Sequence, residues 1–459
     1  MSALASNNGV RALVGFGLMA LGFYVVGGML SWNVSLAIFN LCLISAVMAL
    51  GVNIQWGYAG LFNVGIMGFA AMGGVAAMLV SVDPVQTAWA TGGGNLIISI
   101  LLTALVVAVA IFVARKLRGG FFKTVLMLAI IFGGYFLIRQ YYDPAVGAIE
   151  ADNPAKSGFL GGLGMPILIS WLVGGVFAAA IAWLIGKVAL GLRSDYLAIA
   201  TLGISEIIIA VLKNEDWLTR GVKNVTGLPR PVPYELELQE SANFIEWVQW
   251  FYADRLAGLA GDNRADVLRA ATVEGASLFV KLCYSGLFLS VLLIILLLCV
   301  LALASPWGRM VRAIRDNEVS AAAMGKDVTR RHLQIFILGS AVVGIAGAML
   351  TTLDGQFTPA TYQPLRFTFL IWVMVIVGGS GNNLGAVLGA FIIWFVWIVA
   401  EPVGNWLMEQ VTSFMAADSD LRKHLLDSAQ HMRLFTMGIV MLLVMRFSPG
   451  GLLPERTRS

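Results

Sequence analysis

The residues best placed to recognise a partner or a solute lie in three parts of this chain. The first is the charged segment from Ser305 to Arg331, set between two long apolar stretches. At about 100° per residue, Trp307, Met310, Val311, Ile314, Ala321 and Ala322 fall on one side of a helix, with Arg309, Arg312 and Asp316 opposite. Glu318 falls on the apolar side. An acid inside an apolar stripe suits docking against a basic surface, as a soluble partner would offer. The plainer reading is an amphipathic helix on a membrane surface, with Glu318 paired to Arg315 by helical spacing. Both readings stand on the residues alone.

The second part is Gly51 to Gly65, where Asn53, Gln55, Gly57, Tyr58, Gly60 and Asn63 interrupt an apolar run. Non-helical backbone at membrane depth survives only when buried in protein or lining a polar cavity. The segment therefore reads either as part of a translocation path or as a turn between two spans with small-residue packing. A similar run, Gly378 to Gly385, is expected to form a tight hairpin, with a substrate contact as the alternative. The third part is Glu206, well inside an apolar stretch. A carboxylate there is costly and needs a cavity or a polar partner, so it faces a transport path or bonds a neighbouring helix.

No phosphate-binding loop is present: Gly186-Lys187 and Gly325-Lys326 lack both the upstream glycine and the following Ser or Thr. His332, His424 and His431 have no metal-binding spacing, and Cys42, Cys283 and Cys299 suggest packing rather than a disulfide framework. No catalytic signature argues for an enzyme.

The elements that must position these residues are membrane spans. With 59% hydrophobic and 12% charged residues and a mean hydropathy of +0.84, the chain lacks the charge a soluble surface of this size requires. No charged side chain occurs between Arg11 and Asp83, and further apolar runs follow along the whole chain. A span takes roughly 20 residues, so the expected fold is an all-α polytopic membrane protein with about ten to twelve transmembrane helices. Ala12 to Leu30 is expected to be a retained first span, since another apolar run follows at once.

Charge placement orients the chain. Arg115, Lys116, Arg118 and Lys123 crowd one short loop, and Arg309, Arg312, Arg315, Lys326, Arg330 and Arg331 another. Basic loops mark the cytoplasmic side. Residues 305–333 are thus expected to form a cytoplasmic loop, and the acid-bearing segments 139–165 and 213–278 to form external loops. The first of these carries Asp143, Glu150, Asp152 and Lys156. Twelve spans would leave both termini in the cytoplasm, including the tail 447–459 with Arg456 and Arg458.

The order of several motifs resembles the bacterial branched-chain amino acid ABC transporter permeases, in particular the larger permease subunit. They are Gly57-Tyr58-Ala59-Gly60-Leu61, Asp195 to Gly203 with Glu206, Thr226-Gly227-Leu228-Pro229, Gly308 to Gly325, Val377-Gly378-Gly379 and Pro449 to Leu453. The resemblance implies half of an inner-membrane pore, paired with a second permease subunit. It also implies two cytoplasmic ATP-binding subunits and a periplasmic substrate-binding protein. No cofactor is expected on this chain, ATP being used by the partner subunits, and no nucleic-acid partner is expected.

Trp307 to Gly325 would be the coupling helix, with Arg309, Arg315, Glu318, Ala322 and Gly325 as coupling residues. Asn53, Gln55, Gly57, Tyr58, Gly60, Asn63 and Glu206 would belong to the translocation path. Asn382 and Ala386 depart from the Ser or Thr and the Pro common in the family, and 95–166 and 232–274 are longer than usual. Import of urea or short amides is the neighbouring alternative within the class. A gradient-driven carrier is a third reading, which would call for internal repeats and intramembrane ion sites.

Overall fold

The computed structural model describes residues 8–117, 119–153, 158–257, 262–415, 419–428 and 431–455. Arg118, Lys156, Arg456 and Arg458 lie outside them. Among the described residues nine helices are long and apolar enough to cross a membrane. They are α1 (Asn8–Met29), α2 (Trp32–Ala59), α4 (Gln86–Lys116), α5 (Phe121–Ala151), α6 (Ile167–Ala189), α7 (Ser194–Asn214), α9 (Asp262–Ala304), α12 (Val328–Asp354) and α14 (Asn383–Val411). Two shorter apolar helices, α3 (Ile66–Ser81) and α13 (Pro364–Gly378), accompany them, and α15 (Asp420–Ser428) with α16 (Met432–Phe447) forms a bent pair.

The chain is a multi-pass, all-α membrane protein. Among the described residues the strands are two residues each, Val225–Thr226 paired antiparallel with Gln356–Phe357. This pairing lies at one end of the bundle. The opposite end, called here the basic end, gathers the start of α1, the ends of α2 and α9, and the segment 305–327.

At 16 and 15 residues, α3 and α13 rise only about 24 and 22 Å. Each is shortened at the basic end. There the chain enters α3 through the non-helical run 60–65 and leaves α13 through the turn 379–382. Gly60 and Gly381 hold φ of 70° and 80°, a left-handed backbone that favours glycine.

The core is a crossing of α3, α6 and α12 at Gly73, Gly174 and Gly344. A Cβ on Gly344 would strike the Gly174 carbonyl and the Ala178 methyl. Small residues let helices approach closely where lipid offers no hydrophobic drive for association. Gly344→Val is therefore expected to destabilise the purified chain by about 1–3 kcal/mol, read as a lower thermal midpoint in detergent. Gly191→Val, where a Cβ meets nothing within 4 Å, is the control; equal midpoints for the two variants would refute this account of the crossing.

Two segments expected as loops are largely helical. α5 continues through Ala151, so residues 139–151 extend a helix rather than open a loop. α9 is 43 residues long, about 64 Å, so residues 262–278 are its first turns. Against them packs α8 (Ala242–Phe251), through Phe244 and Val248 on Ala271 and Ala276. Apolar residues at helical spacing in both partners explain the docking. The hairpin of α4 and α5 exposes most of its apolar surface, as lipid-facing helices do. It is fastened at the far end by the Tyr142 hydroxyl, which donates to Glu215 at 2.5 Å and accepts from Trp217 at 2.9 Å.

Candidate functional site

The interrupted region of α2 is a buried knot. Asn53, Gln55 and Asn63 are 0, 1 and 2% exposed. The Gln55 amide donates to the Phe336 carbonyl at 2.9 Å and to Ser340 Oγ at 3.1 Å, while its oxygen accepts from Asn63 Nδ2 at 2.9 Å. Asn63 Oδ1 accepts from the Gly65 amide, and the Asn63 carbonyl accepts from Trp372 Nε1. Thr201 Oγ1 accepts from the Val64 amide. Asn53 accepts from the Gly381 amide at 2.9 Å and donates to Asn383 Oδ1 at 3.1 Å. These amides thus satisfy the two helix breaks, which would otherwise strand backbone groups at membrane depth.

The seven residues assigned to a path are therefore distributed differently. Asn53, Gln55, Gly57 and Asn63 sit inside the protein, and the first two tie α2 to the turn 379–382 and to α12. Tyr58 lines a cleft of about 620 Å³ at the basic end, with Asn8, Arg312, Asn382 and Glu455. Gly60 is exposed and caps α2. Glu206 stands apart from all of these. It is exposed on α7 beside Tyr196, Ile199, Gly203 and Ile207, while the other face of α7 buries Leu197, Thr201, Ser205 and Ile209. It forms no hydrogen bond or ion pair with the described residues.

The charged segment is an elbow of two helices, α10 (Pro306–Asp316) and α11 (Glu318–Ala323). Asn317, in extended backbone, caps α11 by accepting from the Ser320 amide at 2.9 Å. This corrects the single-helix reading. Because the helix restarts at Asn317, Glu318 leaves the apolar stripe and occupies the first turn of α11, where a carboxylate suits the positive end of the helix dipole. Ala322 and Gly325 are also exposed at the tip, with Val319 and Met324 each 80% exposed. Behind them, Ile314, Ala321 and Val328 form a small core.

Nor does Arg315 pair with Glu318. It forms ion pairs with Asp316 at 3.1 Å and Glu455 at 2.9 Å, and donates to the Gly57 carbonyl at 2.5 Å. Arg309 and Arg312 donate to the Ala304 and Leu303 carbonyls, fastening α10 to the end of α9. Glu455 belongs to a C-terminal strap that sequence reasoning left as a plain tail. The Leu452 and Leu453 amides donate to the Val377 and Gly378 carbonyls, and Asn8 donates to the Pro454 carbonyl. The motif Pro449 to Leu453 belongs to the family resemblance; the contact of Glu455 with Arg315 across 140 residues had no local signal.

Among the described residues no group of three or more His, Cys, Asp or Glu side chains could hold a metal ion. The arrangement contains polar helix breaks, a projecting basic-end elbow and a strap joining them. It is that of a multi-pass membrane protein with a projecting basic end.

Residues 155–445 match the family described as branched-chain amino acid transport system / permease component. The chain belongs to this family. It is 27% identical over 284 residues to the high-affinity branched-chain amino acid transport system permease protein LivM of Escherichia coli, across 61% of this chain and 56% of that one. It is 23% identical over 350 residues to the probable branched-chain amino acid transport permease protein LivM of Methanocaldococcus jannaschii, across 76% and 84%. A shorter match, 32% over 116 residues, joins it to the xylose transport system permease protein XylH of Escherichia coli, across 24% and 30%. The chain thus spans little more than half the length of the Escherichia coli LivM relative. No solved structure matches it. The hairpin of α4 and α5 precedes the matched family region.

Proposed function

We propose that this chain is one permease half of an ATP-driven importer of branched-chain or related hydrophobic amino acids. It would sit in a bacterial inner membrane with its basic end and both termini in the cytoplasm. The names of its relatives support the substrate class. The orientation is supported by Arg115, Lys116, Lys123 and the arginines of 309–331, which share one end of the bundle as basic residues do on the cytoplasmic side.

The observation that carries the reading is the elbow. Val319 and Met324 project from it into what would be water, an arrangement that calls for a covering partner. In this proposal two ATP-binding subunits cover the tip around Glu318, Ala322 and Gly325. Arg315 then relays movement of α10 to the end of α2 through Gly57, and through Glu455 to the strap and the turn 379–382. A second permease subunit faces Glu206 across the path, and a periplasmic binding protein docks on the far end near 235–256. The chain itself binds no ATP.

Met324→Asp combined with Val319→Asp is expected to leave membrane insertion intact and to lower co-purification of the ATP-binding subunits about tenfold, the equivalent of about 1.4 kcal/mol. Unchanged recovery of those subunits would refute the docking role of the elbow. The same preparation separates the mechanisms: uptake of leucine into proteoliposomes should require all subunits and ATP. Accumulation by this chain alone under an ion gradient would identify a secondary transporter.

A further inference from the structure

We infer that Arg366, Trp397 and Arg433 bind the phosphodiester group of a phospholipid in the leaflet remote from the basic end. Depth is the first argument. Arg433 lies in the first turn of α16, and twelve uncharged residues, 434–445, separate it from Arg446. That spacing spans about 20 Å, whereas the hydrocarbon core is about 30 Å thick. With Arg446 at the basic-end headgroups, Arg433 falls short of the far headgroup level. A charge at that depth marks a functional site and needs a partner.

The charge balance is the second argument. Arg433 is ion-paired with Glu401 on α14. Arg366 is exposed, and among the described residues its guanidinium meets no carboxylate. Both guanidinium groups lie over the Trp397 ring, at 5.1 Å for Arg366 and 6.0 Å for Arg433. The cluster therefore holds two cations and one carboxylate. Each arginine also sits in the first turn of its helix, α13 or α16, where the helix dipole adds positive potential and favours an anion.

Unfilled donors give the third argument. Arg433 Nε and Trp394 Nε1 are buried without an acceptor. Trp394 precedes Trp397 by one helical turn on the same face of α14. Buried donors normally have partners, so the cluster is donor-rich and short of acceptor oxygens. A phosphodiester supplies them in the geometry an arginine fork matches. Leu365 and Phe369, exposed on α13 beside Arg366, provide apolar surface for acyl chains. The acyl chains hold a lipid phosphate close to this depth, and local thinning of the bilayer around a buried arginine closes the remaining gap.

The full-length chain in mild detergent would be titrated with dioleoylphosphatidylglycerol and followed by native mass spectrometry. Parallel arms would use dioleoylglycerol, which lacks the phosphate, and glycerophosphoglycerol, which lacks the acyl chains. The expected result is one tightly held phosphatidylglycerol, about tenfold weaker in Arg366→Gln, with neither control lipid nor headgroup competing. Equal retention by Arg366→Gln, or competition by dioleoylglycerol, would overturn the phosphate site; binding of the free headgroup as tightly as the lipid would assign it to a soluble anion instead. A headgroup-proximal photoreactive phosphatidylglycerol on the unaltered chain gives a test independent of mutant folding. Adducts should fall in peptides from 364–378 and 383–411, and their absence there would also overturn the site.

Discussion

Replacing Glu206 by alanine is expected to lower leucine uptake by the assembled importer by one to two orders of magnitude, about 1.4 to 3 kcal/mol, while the subunits still assemble. Glu206 lies twelve residues from Ser194 and eight from Asn214, about 18 and 12 Å along α7, so it sits near mid-membrane. Among the described residues nothing satisfies its carboxylate. Facing lipid, an ionised acid at this depth would cost about 2.5–3.5 kcal/mol or more, so the proposal puts it on the path shared with the second permease. Gly203 leaves open space beside it, and Ile199 and Ile207 flank it with apolar surface. That combination suits a solute with an ammonium group and an aliphatic side chain. Glu206→Gln separates the roles: restored uptake would indicate hydrogen bonding, and continued loss a need for charge. Normal uptake by Glu206→Ala at normal membrane levels would remove this residue from the path.

Gln55→Leu is expected to have the second large effect, on folding rather than transport. The substitution leaves Asn63 Nδ2 and Ser340 Oγ without their partner and removes a second bond from the helix-bonded Phe336 carbonyl, in a site that excludes water. Each stranded buried group costs about 1–3 kcal/mol, so a loss of about 2–5 kcal/mol is expected. The purified variant should aggregate at a lower temperature and yield less folded protein. Asn63→Leu, which breaks the same knot from the other side, should add little in the double variant, because residues of one network couple. Strictly additive losses would show that Gln55 and Asn63 do not act together.

Glu318 shows where local reasoning failed. A helical wheel assumes an unbroken helix, and under that assumption Glu318 lies among apolar residues and within reach of Arg315. Asn317 instead caps a new helix and turns the chain. An Asn before an acid is a legible N-cap signal, but the apolar periodicity on both sides concealed it. The 378–385 hairpin was legible, since four glycines and two asparagines between apolar runs leave little choice but a turn. Its attachment to Asn53 was not.

The sequence by itself determined the solvent, the all-helical class of the fold and the family resemblance. Apolar runs without charge must leave water, and in a bilayer such runs satisfy their backbone as helices. These are sums of local terms, readable residue by residue. The tertiary structure alone decided what the polar residues do. Asn53, Gln55 and Asn63 carry the same amides whether they line a channel or tie helices together. The outcome depends on Ser340, Phe336, Gly381 and Asn383, which are hundreds of residues away. Likewise Arg315 meets Glu455, and Arg366 and Arg433 meet over Trp397, through the packing of helices distant in sequence. A polar group at membrane depth must find a partner, but its own neighbourhood in the chain does not specify which one.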